Sequence, residues 1–167
     1  DNSLAGLVAA SRYGADVVET DLRITRDGKW VLAHDELLDD FTTNCVGLIR
    51  EHSSSELANC QLSGARAEAQ QILPTFEAFL RETRAVYEMF FVEIKSGGVD
   101  VRVDSVRNAL ELAEQVGIYN KIVWHSFSLD TLRTIEQAAR DGRLSAPHLA
   151  YQFSSNVGLG TLTGCPP

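Results

Sequence analysis

At 167 residues and 44% hydrophobic, the chain is long enough for one domain with a sizeable core, and no stretch is polar enough to read as disordered. The net charge of -8 comes without any run of Lys or Arg, which disfavours a nucleic-acid or anionic-membrane partner held by counterion release. No unbroken apolar segment approaches the roughly 18 residues of a membrane span, so no stable membrane insertion is expected.

Asn2 or Ser3 can cap a first helix whose apolar positions Leu4, Leu7, Val8 and Ala10 follow helical spacing up to a stop at Gly14. The stretch from Gly14 to Asp35 then holds two short apolar runs. One is Val17-Val18 leading into Glu19-Thr20-Asp21, the other is Trp30 to Ala33 leading into His34-Asp35, and the turn signal Arg26-Asp27-Gly28 lies between them. Side chains alternate along a strand, so Glu19 and Asp21 share a face and form part of an oxygen-ligand metal site.

Residues 36–71 read as an irregular inserted segment, polar and turn-rich, with one short helical piece near Ser54 to Asn59. Pro74-Thr75 restarts regular structure with a helix to Thr83 that turns Phe76, Phe79 and Leu80 inward. The strand Phe90 to Lys95 follows, with Glu93 and Lys95 on one face and Val92 and Ile94 on the other. Charges on the buried end of a strand need a reason, because desolvation costs several kcal/mol each unless they are paired or bound to a metal. A phosphate site holding a cation supplies one.

Past a Gly97-Gly98 loop, the spacing of Val103, Val106, Leu110 and Ala113 predicts a helix over 103–116 closed by Gly117. A strand from Ile122 ends in His125-Ser126-Phe127, Ser128 caps a helix from Leu129 to about Arg140, and Leu149 to Phe153 is a fifth strand. The tail with Gly158, Gly160 and Gly164 shows little order. Strands alternating with helices mark an α/β fold with a parallel sheet, and polar residues gathered at strand ends fit the active-site end of a (β/α)8 barrel. A doubly wound open sheet is the alternative, but the Gly-rich phosphate loop it would carry after its first strand is absent. Cys45, Cys60 and Cys165 have no zinc-like spacing; free thiols are expected in preference to a Cys45 to Cys60 bridge.

These residues resemble the glycerophosphodiester phosphodiesterase family over Asp1 to about Phe153. The entry Asp1-Asn2-Ser3 is similar to that family's Glu-Asn-Thr. G-A-D-x-x-E-x-D, D-G-x-x-V-x-x-H-D, Pro74-Thr75-Phe76-Glu77, E-I-K-S and a strand ending in Ser126-Phe127 follow in the family's order. The resemblance implies a TIM barrel that binds a divalent cation, Ca²⁺ or Mg²⁺, and cleaves glycerophosphodiesters to glycerol 3-phosphate and an alcohol. Carried over by position, Glu19, Asp21 and Glu93 would be metal ligands, His34 one of two catalytic histidines, and Lys95 a contact to substrate phosphate. The cation would neutralise phosphate charge and acidify the attacking hydroxyl while histidines move protons.

Set beside the family, the chain reads as one barrel domain over 1–167 that holds about five of eight strands. The family's His-Arg motif lies upstream of its first residue, and no signal peptide is visible at an opening that reads as mid-protein. On that reading the chain by itself has little activity. His125 reads as packing at the rim and not as a replacement histidine, Arg23 as a solvated loop residue, and Trp30 as core. His52 and His148 receive no role. Two other functions stand as alternatives: a choline-phospholipid lyase of the sphingomyelinase D type, and an inactive fragment or interaction module.

Overall fold

The Arg26-Asp27-Gly28 turn folds the chain back on itself and so sets where everything after it begins. In the computed structural model, which describes residues 2–64, 71–96 and 101–153, Gly28 takes a φ of +75°, a left-handed conformation open to glycine at no steric cost. Lys29 O accepts from Thr25 N at 2.8 Å, and strands β1 (Val17–Ile24) and β2 (Trp30–Leu32) pair antiparallel with Leu22 opposite Leu32. The Gly97-Gly98 loop, Cys165 and the glycine-rich tail lie outside the described residues.

β3 (Met89–Ile94), β4 (Ile122–Ser126) and β5 (His148–Tyr151) complete one five-stranded sheet in the order β2-β1-β3-β4-β5. The pairs β1/β3, β3/β4 and β4/β5 are parallel. The fold is therefore α/β, an open part of a TIM-type barrel. The five strands expected from the sequence are present, but the run after Gly28 pairs antiparallel, because a tight turn cannot supply the crossover a parallel neighbour needs.

Of the helices α1 (Leu4–Arg12), α2 (Ser54–Leu57), α3 (Phe76–Thr83), α4 (Val103–Val116) and α5 (Leu129–Asp141), all but α4, which starts after Arg102 with no side-chain cap, begin where the sequence provides one. Ser3, Ser53, Thr75 and Ser128 each accept a backbone N–H of the first turn, which removes one of the unpaired donors every helix start leaves. Gly117 ends α4 at a φ of +82°. α1 touches α3, α3 touches α4 and α4 touches α5, forming a layer over one face of the sheet. Among the described residues no helix is long and apolar enough to cross a membrane.

Strand alternation sends Val18, Leu22, Phe90, Val92, Ile94, Ile122 and Trp124 into the core beneath that layer. There Phe76 meets Trp124 edge-on at 5.9 Å and Phe79 meets Phe90 at the same distance. Phe79 is fully buried, so truncating it to Ala would cost about 3–5 kcal/mol. Trp30 is core as expected, with its indole N–H donating to Ser105 O at 2.8 Å. The opposite face of the sheet is left for polar chemistry.

β2 and the segment after it build a second, smaller core from Val31, Ala33, Leu38, Ile49, Leu57, Cys60 and Leu73. Cys45 and Cys60 form a disulfide, their Cα atoms 5.6 Å apart, which corrects the expectation of free thiols. The cause is local folding that spacing does not reveal. Thr42 bridges Leu62, while Asn44 donates to Asn59 O and accepts from Gln61 N, so the residues flanking both cysteines are already held together.

Candidate active site

Because β1, β3 and β4 run parallel and in register, residues of one parity line up across the uncovered face. Asp21 lies beside Glu93, and Glu93 beside His125, with Glu19 two residues before Asp21 on the same side. One carboxylate oxygen from each of Glu19, Asp21 and Glu93 lies within 4.8 Å of the others. Two oxygens sharing a Ca²⁺ at 2.3–2.6 Å can be at most about 5 Å apart, so this donor set fits a hard divalent cation.

Lys95 continues the β3 parity and places Nζ 3.0 Å from Asp21 Oδ1 and 2.9 Å from Glu93 Oε2. Burial alone would lower the pKa of this ammonium, but its bonds to Glu93 and Asp21 outweigh that and hold it above the ordinary value. The Glu19 carboxyl is shifted upward, first by burial and then by the negative charges of Asp21 and Glu93. Three carboxylates against one ammonium leave an excess of negative charge, and a divalent cation would relieve it.

Asp21 is also fixed from behind. Asn2 donates Nδ2–H to Asp21 Oδ2 at 2.9 Å and accepts from Thr20 Oγ1 at 2.7 Å, so the carboxylate has one oxygen on Asn2 and one on Lys95. Ser3 caps the first helix, which frees Asn2 for this task. Of the two cap candidates Ser3 is the one that caps, and Asn2 holds a φ of +49°, a conformation Asn tolerates better than most side chains.

His34 reaches the same place by the hairpin. Ala33 N bonds Asp21 O at 3.1 Å, and His34 lines a cleft of about 660 Å³ with Asn2, Glu19, Asp21 and Asp35. Its position does not come from the end of a parallel strand, as the sequence reading assumed. His34 Nδ1 lies 3.0 Å from Asp35 Oδ1, and the side chain is 65% exposed. Arg23, expected in solvated loop, is part of β1 and donates both Nε–H and an Nη2–H to His34 O at 2.9 and 2.6 Å. Burial lowers the Arg23 pKa, against the pull of Asp35, Asp21 and Glu93.

His125 was expected at the rim and is instead 3% exposed. Its Nδ1 lies 2.9 Å from Gln152 Oε1 and its Nε2 is 3.9 Å from Glu19 Oε1, on the site side of the sheet. The signal was available as strand parity: reading the strand beginning at Ile122 against the one containing Glu93 places His125 on the polar face. The register of the two strands was the missing piece.

Residues 1–155 match the model of the glycerophosphoryl diester phosphodiesterase family. A glycerophosphodiester phosphodiesterase of Caldanaerobacter subterraneus subsp. tengcongensis is 25% identical over 170 residues, covering 95% of this chain and 63% of the relative. One from Bacillus subtilis is 24% identical over 82% of this chain and 51% of its own length. The crystal structure of a glycerophosphodiester phosphodiesterase from Agrobacterium tumefaciens is similar with a TM-score of 0.72 and 26% identity, over 84% of this chain and 58% of that one. The structure of an Oleispira antarctica phosphodiesterase, in complex with the product sn-glycerol-3-phosphate, has the same fold at a TM-score of 0.72 and 23% identity, over 90% of this chain and 58% of that one. The chain thus spans between about half and two-thirds of the length of these relatives.

Proposed function

The chain belongs to the glycerophosphoryl diester phosphodiesterase family, and from that membership we propose that it carries a cation-dependent site for hydrolysing glycerophosphodiesters to glycerol 3-phosphate and an alcohol. The observation that carries the proposal is the convergence of Glu19, Asp21 and Glu93 to within 4.8 Å, with Lys95 beside them. Glu19, Asp21 and Glu93 would hold the divalent cation, Ca²⁺ or Mg²⁺ by the preference of oxygen ligands. When bound, such a cation withdraws charge from the phosphate and makes the attacking hydroxyl more acidic.

The remaining work falls to side chains. Lys95 would turn its ammonium from the carboxylates toward a phosphate oxygen once a cation neutralises Asp21 and Glu93. His34 would move a proton through Nε2, because Nδ1 faces Asp35 and the carboxylate there stabilises the imidazolium that forms. Arg23 would keep that ring in place by fixing the backbone that carries it. The names of the relatives support hydrolysis over the choline-phospholipid lyase reading.

The test is release of sn-glycerol 3-phosphate from glycerophosphocholine by the natural-length protein, after EDTA and after return of Ca²⁺ or Mg²⁺. Cation-dependent release that Asp21→Asn abolishes is expected. Undiminished release in EDTA would overturn the metal reading, and no release with any cation would overturn the substrate reading.

A further inference from the structure

The cleft that holds the carboxylates has a further wall, supplied by the segment after β2. Asp40, Phe41 and Ser63 line it together with Glu19, Asp21 and His34. Backbone bonds fix that wall: Ser63 N donates to Phe41 O at 2.8 Å and Thr43 N to Gln61 O at 2.9 Å, and the Cys45–Cys60 bridge joins the same two stretches of chain. Phe41 packs against the small core and is only partly buried. Asp40 ends the 3₁₀ turn Leu38–Asp40 and is exposed. Its neighbour Asp39 accepts from Gly47 N at 2.8 Å, whereas among the described residues the Asp40 carboxylate has no partner.

Charge decides what such a wall can hold. Glu19, Asp21 and Glu93 carry three negative charges, which Lys95 and a divalent cation cancel. Asp35 lies against His34 and within the field of the Arg23 guanidinium. Asp40 is left over in a cleft that must take an anionic phosphodiester, so it disfavours a substrate with no positive charge of its own. Glycerol is neutral, and a compensating charge can come only from the alcohol on the other side of the phosphorus. A carboxylate beside an aromatic ring suits an alkylammonium, which the one attracts by charge and the other by its negative face.

We propose that Asp40 and Phe41 form the subsite for the alcohol half of the substrate, and that this half carries an alkylammonium, as choline and ethanolamine do. The inference rests on the reading that the cleft hydrolyses glycerophosphodiesters, and it names which ones. Its volume of about 660 Å³ lies within the roughly 300–1,000 Å³ usual for small-molecule sites, which leaves room for a head group beyond the phosphate. The backbone bonds and the disulfide hold Asp40 and Phe41 in place before substrate arrives, which lowers the ordering cost of binding.

The experiment measures kcat and KM of the natural-length protein, supplied with Ca²⁺ or Mg²⁺, on glycerophosphocholine, glycerophosphoethanolamine, glycerophosphoglycerol and glycerophosphoinositol. The two cationic head groups are expected to have a kcat/KM at least about tenfold above the two neutral ones, mainly through KM. Asp40→Asn keeps the shape of an exposed side chain and should cut that ratio about fivefold, the upper end for one exposed ion pair. Phe41→Leu keeps an apolar contact with the small core and should cut it about two- to fivefold. Equal kcat/KM on all four diesters, or a cationic preference that neither variant lowers, overturns the proposal and leaves hydrolysis standing. If no diester is turned over, calorimetry in Ca²⁺ separates the two readings. Glycerophosphocholine bound more tightly than glycerophosphoglycerol, and about fivefold more weakly in Asp40→Asn, keeps the subsite and overturns hydrolysis. Absence of turnover and of binding overturns both.

Discussion

Lys95 Nζ stands 3.0 Å from Asp21 Oδ1, across the seam between two strands, and closes an ion pair that neither strand could make alone. Both side chains are largely buried, so the pair is poorly screened by water and each charge depends on the other.

Removing the ammonium should therefore expose the cost of the carboxylates. Lys95→Met is expected to lose about 3–5 kcal/mol in urea unfolding without added metal, because Asp21 and Glu93 stay buried with no cation beside them. A divalent ion bound only by the folded state should return about 2.7 kcal/mol at a hundred times its dissociation constant. Equal stability of variant and parent in EDTA would mean that the two carboxylates are not held against each other.

Asp21 has one oxygen on Lys95 and the other on Asn2, so its charge and its orientation can be tested separately. Asp21→Asn keeps the shape but removes the charge, and calorimetric affinity for divalent cations should drop at least about tenfold. Asn2→Ala leaves the charge and loosens the carboxylate, which should give a smaller drop. A variant Asp21→Asn with unchanged affinity would remove Asp21 from the proposed ligands.

His34 is the side chain whose loss should be felt in rate alone. It is 65% exposed and, among the described residues, its ring has a single partner, Asp35, so His34→Ala should change unfolding free energy by no more than about 0.5 kcal/mol. Turnover of glycerophosphocholine should fall by about 10² to 10⁴-fold, the usual worth of one proton transfer. Loss of stability and activity together would point to a structural histidine.

Much of this site could be read from alternation along single strands, since Glu19 with Asp21 and Glu93 with Lys95 need only a period of two. What alternation cannot supply is how one strand stands against the next. His125 was set aside because nothing in its own strand says that it lies beside Glu93, and Arg23 because its partner, the carbonyl of His34, is backbone. The antiparallel return of Trp30–Leu32 was written in Asp27-Gly28 but overridden by the pattern of the longer, parallel elements. The disulfide escapes alternation for a similar reason: the Asn44 side-chain amide closes the loop on backbone groups of Asn59 and Gln61 that residue types alone do not announce.

The Cys45–Cys60 bond closes a loop with a sequence separation of 15, and the entropy it withholds from the unfolded chain is worth about 3 kcal/mol. Reduction should loosen the small core around Leu38, Ile49 and Leu57 before the sheet opens, seen as faster amide exchange there than at Phe90 or Trp124. Uniform exchange before and after reduction would show that the bridge does not hold this segment.

The hairpin that delivers His34 to the carboxylates is pinned at its turn by Asp27. Asp27 accepts from Thr25 Oγ1 at 2.6 Å, from Ser54 N at 2.8 Å and from Ser54 Oγ at 2.7 Å, so one carboxylate ties the β1–β2 turn to the start of α2. What little burial it has opposes ionisation, but the bonds from Thr25 and Ser54 win and lower its pKa from 3.8 to about 2. The unfolded chain therefore takes up this proton first. The stabilisation is fully present above pH 3.8 and is lost as pH falls through about 2. Asp27 is exposed, so its contribution should be under about 1 kcal/mol, well below what a shift of that size implies for a buried group. Chemical unfolding followed from pH 5 to pH 2 should show stability falling more steeply in the parent than in Asp27→Asn, with the two curves converging at the acid end. Parallel curves across that range would mean that Asp27 ionises alike in the folded and unfolded chain, and that the turn is held by Gly28 and the backbone bonds alone.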